Sequence, residues 1–140
     1  GNYFPFVAAV CSSSFNTFLQ HESAGRIYTL GESTYTDNSV VITVDIYTPN
    51  FDGGTRRRKQ MNMLEFVADQ VAGSSMQVRM NDYDYDATKW TNFRNVDLSV
   101  RRPMLMNCGT FVKRAHHFRH AKPTSFRLSA ADMQIDLGVL

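Results

Sequence analysis

Residues 40–48 read VVITVDIYT, and this stretch decides the fold class of the chain. Val40, Ile42, Val44 and Ile46 occupy every second position and alternate with a mostly polar set of residues. Successive side chains of a β-strand point to opposite faces, so this spacing places the four apolar residues on one face. The stretch therefore predicts a strand over 40–48 whose apolar face is directed into a core.

The same two-residue period recurs along the rest of the chain. Residues 75–80, SMQVRM, alternate methionine or valine with polar residues, and residues 126–137 repeat the pattern less regularly. Turn-forming runs separate the candidates at intervals of about 8–12 residues. This organisation predicts an all-β fold in which antiparallel strands form a two-sheet, jelly-roll-like β-sandwich. The remaining strand candidates are 3–10, 14–20, 26–31, 59–68, 93–98 and 104–106.

The segment 59–72, KQMNMLEFVADQVA, is the place where a helix competes with a strand. Leu64, Val67 and Val71 have helical spacing, whereas the residues from Met61 to Val67 also alternate between two faces. We predict a strand here, and at most one short helix in the whole chain, which would lie in this segment. The residues expected to point inward are Ile42, Val44, Ile46, Leu64, Phe66, Val78, Phe118, Leu128 and Ile135.

The composition is that of an ordinary globular domain. The 140 residues fit a single domain, 1–140, and 15 basic residues against 13 acidic ones give no strong attraction to DNA or to an anionic membrane. GESTYTDN, within 31–38, interrupts the apolar pattern and marks a soft boundary, so residues before it are candidates for a neighbouring unit. The opening NYFPFVAAV looks like protein interior, and we expect a longer native chain.

Two cysteines, Cys11 and Cys108, are too few for a disulfide scaffold, and neither belongs to a CxxC pair. They could pair only if the fold brought their Cα atoms within about 7 Å of each other. We expect free, buried thiols, because cysteine packs as a small hydrophobic residue. No apolar run reaches the roughly 18 residues of a membrane-spanning helix, so we expect no membrane partner.

Residues 109–120, GTFVKRAHHFRH, raise the possibility of a metal site. On a helix, His116 and His120 would share a face and could bind one ion. Thr110, Phe111 and Val112 favour a strand, on which the two histidines would lie about 13 Å apart, too far for a shared ion. We therefore expect no zinc there, and hydrogen-bonded or partly exposed histidines instead.

Residues 81–90, NDYDYDATKW, raise the possibility of calcium. Asp82, Asp84 and Asp86 match the first three ligand positions of an EF-hand loop. The loop fails at two discriminating positions, where Ala87 replaces glycine and Phe93 replaces the bidentate glutamate. We expect no calcium, but an acidic turn between two strands.

The basic run TRRRK, residues 55–59, could attract nucleic acid. It follows an FDGG turn and enters an alternating strand, so its charges should divide between two faces. We expect a solvated or intersubunit face here, not a direct DNA contact. No catalytic motif such as GxSxG, HExxH or a Walker loop is present, so we expect a protein that is not an enzyme and has no cofactor.

A series of short motifs runs through residues 21–138 in a distinctive order. HESAGRIYTL is followed by a YTD turn, an alternating strand that ends in TP, and the basic run RRRK. An acidic turn that ends in Trp90, the strand GTFVKRAHHFR and a closing PTSFRL come next. This order resembles the C-terminal region of the tail-hub proteins of short-tailed bacteriophages, often called packaged-DNA stabilisation proteins. The similar segments are His21–Leu30, Tyr35–Asp37, Ile42–Pro49, Arg56–Lys59, Asp82–Trp90, Gly109–Arg119 and Pro123–Leu128.

The resemblance implies a structural protein of the virion tail, assembled in the cytoplasm of a bacterial host. Such a subunit forms a ring below the portal, anchors tail appendages and helps to retain packaged DNA. The implied partners are copies of itself and other tail proteins, namely the portal or adaptor and a spike or needle. The chain is too short for a whole hub protein, so the resemblance implies a C-terminal piece in which 1–31 continues a preceding propeller-like unit. The acidic turn lacks the spacing of Asp-box loops.

Two surfaces follow as candidates. Basic strands (56–59 and 113–119) and the acidic turn 82–86 would offer opposite charges on different edges of one domain, which suits a head-to-tail contact. The candidate interface residues are Arg56, Arg57, Arg58, Phe111, Arg114, His116 and Arg119. The alternative is a carbohydrate- or receptor-binding β-sandwich module of a phage tail, with Tyr83, Tyr85 and Trp90 as exposed aromatic residues for stacking on sugars.

Overall fold

The structure is a computed structural model that describes residues 6–11, 17–21, 25–31, 33–37, 39–84 and 86–138. The chain divides into two compact units, residues 1–34 and 35–140. The division falls inside the stretch 31–38, where the apolar pattern of the sequence is interrupted.

The first unit contains a three-stranded antiparallel sheet. Its strands are β1 (Phe6–Cys11), β2 (Thr17–His21) and β3 (Ile27–Leu30), in the order β1–β2–β3. Gly25 has a φ of 59° in the turn before β3, a left-handed conformation that glycine adopts without steric cost. The three strands coincide with the segments predicted within 3–10, 14–20 and 26–31.

The second unit contains two four-stranded antiparallel sheets and a short hairpin. In the first sheet a central strand, β7, pairs with β10 and β11 along one side and with β13 along the other. The second sheet has the order β6–β12–β8–β9. The strands are β4 (Thr36–Asp37), β5 (Val40–Val41), β6 (Val44–Tyr47), β7 (Lys59–Ala68), β8 (Ser75–Asn81), β9 (Arg94–Asp97), β10 (Met104–Met106), β11 (Thr110–Phe111), β12 (Ala115–His120) and β13 (Leu128–Leu137).

The two sheets pack face to face around one hydrophobic core. Phe66 of β7 and Phe118 of β12 meet edge to face, with ring centroids 5.7 Å apart. Leu64, Phe66, Val78 and Phe118 are all buried, as predicted. Leu128 and Ile135 are partly buried and pack against the same core, from the edge strand β13. The prediction of an all-β sandwich is confirmed.

The segment that could have been a helix is the central strand β7. Residues 59–68 form this strand, and the described residues contain no helix, so none could span a membrane. The pairing with β13 shifts by one residue between Met61 and Met63, because Asn62 is an extra residue on β7. This bulge lets Met61 and Leu64 both reach the core, which explains why the sequence carries a partly helical spacing.

The prediction for residues 40–48 is only partly correct. The strand is interrupted at Ile42 and Thr43, and β5 pairs with β4 as a separate hairpin. Ile42, Val44 and Ile46, which were expected to point into the core, are 51%, 36% and 38% exposed. β6 lies at the edge of its sheet and pairs with β12 alone among the described strands, so its apolar face is only partly covered.

Candidate functional site

The bidentate ion pair of Arg114 explains why part of the predicted interface is buried. Its Nε and Nη2 donate to the two carboxylate oxygens of Asp82 at 2.7 and 2.8 Å, and its Nη1 donates to the carbonyl of Cys108 at 2.6 Å. The guanidinium also lies over the ring of Phe111, 4.4 Å from its centroid. Arg114, Phe111 and His116 are all buried, so the prediction that they form an exposed interface is wrong. They hold the unit together instead.

The acidic turn is also engaged within the chain. Asp84 lies 3.7 Å from Nζ of Lys113, next to the Asp82–Arg114 pair. Asp86 accepts hydrogen bonds from the amide and hydroxyl of Thr88, which hold the pKa of its carboxyl below the ordinary value. The acidic turn 82–86 and the basic segment 113–119 are therefore neighbours. The prediction that these two segments lie on different edges of the domain is wrong.

The basic run 55–59 divides between surface and interior. Nζ of Lys59 is buried and donates to the carbonyls of Thr55, Arg57 and Val112 at 2.6, 2.9 and 2.9 Å. Arg56 and Arg58 are exposed, and Arg57 is half-buried. Carbonyl oxygens can hold a buried ammonium because they supply the hydrogen bonds that water would otherwise give. The exposed arginines remain available for contact with another molecule.

The open side of the sandwich forms an apolar groove of about 230 Å³ between the segment that follows β6 and the edge strand β13. Its walls come from the segment after β6 and from β13, and its floor comes from the core. Val44, Ile46 and Phe51 are exposed apolar residues on the β6 strand and the segment after it. The lining residues are Thr48, Pro49, Phe51, Leu64, His116, Phe118, Ala131 and Met133.

His116 is the polar member of this groove. Its Nε2 is buried and has no hydrogen-bond partner among the residues that the structure describes. Burial lowers the pKa of His116 to about 4, and the positive charge of Arg114 adds to the effect. The imidazole is therefore neutral at physiological pH, and one of its nitrogen atoms can still take a hydrogen bond.

The outer face of the second sheet carries an ordered row of charged and aromatic side chains. Nε of Arg79 donates to Nδ1 of His117 at 2.8 Å, and Nε2 of His117 lies 2.6 Å from Asp45. A guanidinium can only donate hydrogen bonds, so Nδ1 of His117 is the acceptor. Nε2 therefore carries the hydrogen, and it donates a hydrogen bond to the carboxylate of Asp45. The ring of Tyr47 stacks on the imidazole, with centroids 3.9 Å apart. Burial lowers the pKa of His117, which favours this neutral form.

Aromatic rings hold the arginines of the same face. The Arg79 guanidinium lies 5.0 Å from the ring centroid of Trp90 and 4.6 Å from that of Phe93. Arg119 lies over the ring of Phe93 as well, 5.2 Å from its centroid, and its Nε donates to Asp45 at 2.7 Å. Cation–π contacts of this kind restrict where a guanidinium can point. The face is thus a preorganised surface.

A second, polar groove of about 300 Å³ continues the same face, lined by Ser75, Gln77, Asn95, Ala121 and Lys122. Gln77 lies two residues before Arg79 on β8, and it is opposite Asn95 on β9 and Arg119 on β12. Side chains two residues apart on a strand share a face and are separated by about 7 Å. Gln77, which lines the polar groove, therefore shares a face of β8 with Arg79, which does not line it.

Ser74 and His120 form a pair that looks like a nucleophile and its base. Ser74 Oγ lies 3.1 Å from His120 Nε2, and the hydroxyl of Thr124 contacts both. Both residues are buried, no carboxylate contacts the ring among the described residues, and neither groove is lined by them. His120 stacks on Phe126. Hydrogen bonds among Ser74, His120 and Thr124 therefore satisfy buried polar atoms.

The residues that were considered as metal ligands fall into separate environments. His116 faces the apolar groove and His120 contacts Ser74, while Asp82 is engaged by Arg114. No group of three or more metal-ligating residues occurs in the part of the chain that the structure describes. Cys108 is buried with a free thiol, as predicted, and burial raises its pKa. The side chain of Cys11 lies outside the described residues.

Of the three predicted sugar-stacking residues, the two that the structure describes, Tyr83 and Trp90, make no ring contact with each other. Trp90 is half-buried, and its ring meets those of Tyr47 and His117 edge to face. The ring centroid of Trp90 lies 5.8 Å from the centroid of each of these two rings. Tyr83 is 63% exposed and lies beside the ammonium of Lys89. Tyr85 lies outside the described residues. Trp90 belongs instead to the arginine-rich outer face.

Sequence reasoning did not find that outer face. Asp45, Arg79 and His117 come from three different strands, and Phe93 directly precedes β9. The four residues form no local motif, and their proximity depends on the strand register. The only sequence signal was the alternation of polar residues on β8 and β12. Comparison of the chain with protein-family models and with curated proteins finds no match.

Proposed function

We propose that this protein is a structural subunit of a phage tail, a hub or accessory protein that works by assembly and not by catalysis. In this proposal it forms a ring below the portal, anchors tail appendages and helps to retain packaged DNA. Its partners are copies of itself and the neighbouring tail proteins, and it is located in the virion. The order of motifs in residues 21–138 supports the assignment to a tail hub.

The observation that carries the assembly role is the open side of the sandwich. β6 pairs with β12 only and β13 with β7 only, as far as the described strands go, so both edges of the apolar groove have unpaired backbone groups. Exposed strand edges with apolar side chains promote association unless another chain or charged residues protect them. On β6 the one charged residue, Asp45, is already paired with Arg119.

The proposed occupant of this groove is the neighbouring copy in the ring. A ring requires a contact in which two different surfaces of the same protein meet, so one copy offers an edge and the next covers it. The exposed arginines Arg56 and Arg58 form no ion pair with a described residue, and they supply a charged surface for the same assembly. Charges at the rim of such a contact act mainly on register and on the rate of association.

The test is an assembly measurement on the full-length protein with a charge placed at the β6 edge. Ile46→Lys should abolish the ring, because a lysine on an exposed strand edge blocks pairing with another strand. Charge reversal of Arg56, Arg57 and Arg58 should weaken ring formation more at low salt than at high salt. Sedimentation velocity and electron microscopy report the assembled fraction.

The matched control is Val100→Lys, since Val100 is an exposed apolar residue (47%, against 38% for Ile46) in the turn between β9 and β10. This variant should assemble as the wild-type protein does. If Ile46→Lys also forms rings of wild-type size and stability, the β6 edge is not the interface and the proposal loses the observation on which it rests.

A further inference from the structure

Arg79 differs from the ion-paired arginines of the second unit, and also from Arg94, whose two Nη groups donate to the carbonyl oxygens of Asn107 and Met106. Arg102, Arg114, Arg119 and Arg127 each form an ion pair with a carboxylate. Arg79 forms none with any residue that the structure describes, and its one hydrogen bond uses Nε to reach a neutral imidazole. Its two Nη groups make no hydrogen bond with any residue that the structure describes.

The position of this guanidinium is fixed before any ligand arrives. Trp90 and Phe93 contact it through their rings, and the acceptor His117 is held in turn by Asp45 and stacked on Tyr47. Ordering a long side chain on binding costs free energy, so a preordered arginine binds an anion better than a mobile one. Its planar fork of donors matches the two oxygens of a carboxylate.

The charges of the surrounding face leave room for one negative charge. Arg79, Arg119 and Lys122 supply three positive charges, and Asp45 and Asp97 supply two negative ones. Asp45 forms an ion pair with Arg119. Asp97 accepts a hydrogen bond from the backbone amide of Ser99, and it lies on β9 two residues beyond Asn95, which is opposite Gln77. A ligand with a single carboxylate would therefore bring the face close to neutrality.

The polar groove, on the same face of the sheet as Arg79, indicates which other chemical groups a carboxylate ligand would carry. Gln77, Asn95 and Ser75 present amide and hydroxyl groups that both donate and accept hydrogen bonds. Such groups complement the adjacent hydroxyls of a sugar ring, and about 300 Å³ reaches the lower end of the range for small-molecule pockets. An apolar ligand would leave these polar groups without partners.

We propose that the outer face of the β6–β12–β8–β9 sheet binds an acidic sugar, with its carboxylate on Arg79 and its hydroxyl groups on Gln77 and Asn95. Single-stranded nucleic acid fits this face less well, because it needs open aromatic faces for base stacking and several phosphate contacts. Here guanidinium groups already lie over the rings of Trp90 and Phe93. The polar groove shares no lining residue with the apolar groove.

The test is a titration of the full-length, ¹⁵N-labelled protein, followed by NMR at constant ionic strength. Potassium glucuronate should shift the Arg79 Nε–H resonance and the side-chain amides of Gln77 and Asn95 in a saturable way, with a Kd on the order of millimolar for a single sugar unit. Glucose has the hydroxyl groups without the charge, and acetate has the charge without the hydroxyl groups. Each should bind at least about tenfold more weakly.

Variants separate the two contributions. Gln77→Glu places a carboxylate beside Arg79 and should abolish glucuronate binding, and Arg79→Lys should weaken it about tenfold because the forked geometry is lost. The control Arg101→Gln removes an exposed positive charge from the turn between β9 and β10 and should bind as the wild type does. Gln77 is a half-exposed surface residue, so its variant reports on binding even if Arg79→Lys proves unstable.

Three results would overturn the proposal. The first is the absence of any saturable shift with glucuronate, and the second is an acetate affinity equal to that of glucuronate, as for an acidic side chain of a protein partner. The third is wild-type glucuronate affinity in Gln77→Glu. None of these results depends on whether the protein forms rings, so failure here leaves the assembly test with Ile46→Lys unaffected.

Discussion

β6 and β7 both have a sequence pattern that predicts an inward apolar face, but they end in different environments. Val44 and Ile46 of β6 are 36% and 38% exposed, whereas Leu64 and Phe66 of β7 are 1% and 0% exposed. β7 is central and has strands along both sides, while β6 pairs with β12 alone among the described strands. Local alternation shows which residues share a face, but the neighbours of the strand decide whether that face is covered.

The largest effect is expected from truncating the central strand. Phe66→Ala should lower the free energy of unfolding by about 3–5 kcal/mol, because it removes a fully buried ring and leaves a cavity between the two sheets. The partner ring of Phe118 would lose its edge-to-face contact at the same time. Chemical denaturation, followed by tryptophan fluorescence, measures this change.

The control for this prediction is Met106→Ala, in β10 of the same sheet, where the side chain is half exposed. It should cost less than about 1 kcal/mol, because water replaces the methionine and no cavity forms. A Phe66→Ala variant as stable as Met106→Ala would contradict the assignment of β7 to the centre of the core.

The next effect concerns His116, on the floor of the groove that β6 leaves open. Its pKa is about 4 in the folded chain and near 6.5 when unfolded. Between these values the unfolded chain binds more protons, so this contribution to stability is fully present above about pH 6.5 and is lost as the pH falls towards 4. A shift of this size corresponds to about 3 kcal/mol. Urea denaturation at pH 7.5 and pH 4.5 measures the loss.

His116→Leu removes this titration and should make unfolding less dependent on pH between 4 and 6.5. Some dependence should remain, because burial also lowers the pKa values of His117 and His120, and both then contribute with the same sign. An unchanged pH dependence in His116→Leu would show that His116 is protonated without cost, and that the open groove admits enough water to solvate the charge.

The sequence was sufficient to predict the fold and most strand positions. The strands are short, and turn residues that cannot continue a strand separate them, so local chemistry fixes where each begins and ends. The central core residues Leu64, Phe66 and Val78 followed from the same alternation. The burial of β6 was predicted incorrectly, because the coverage of an edge strand depends on a second sheet, which the local sequence does not reveal.

The candidate surfaces were harder to predict, because charge alone does not reveal pairing. Arg114 belongs to an exposed-looking basic run, yet Asp82, 32 residues earlier, accepts its guanidinium inside the unit. No sequence motif marks Arg79 as a candidate, although the register of β8 and β12 places it opposite His117. Both outcomes depend on long-range pairing, so they require the structure.

The smallest effect is expected at the edge strand. Ile46→Ala should lower the free energy of unfolding of the unassembled protein by about 1 kcal/mol, because the side chain is already partly in contact with water and its removal leaves no closed cavity. Denaturation at a protein concentration low enough to dissociate an assembly held by this contact measures this value. If a neighbouring copy covers β6, the same substitution should cost several times more in the assembled protein, and its stability should then depend on concentration. An equally small cost at high and low concentration would mean that Ile46 stays exposed after assembly, and that the difference between β6 and β7 has no part in forming the ring.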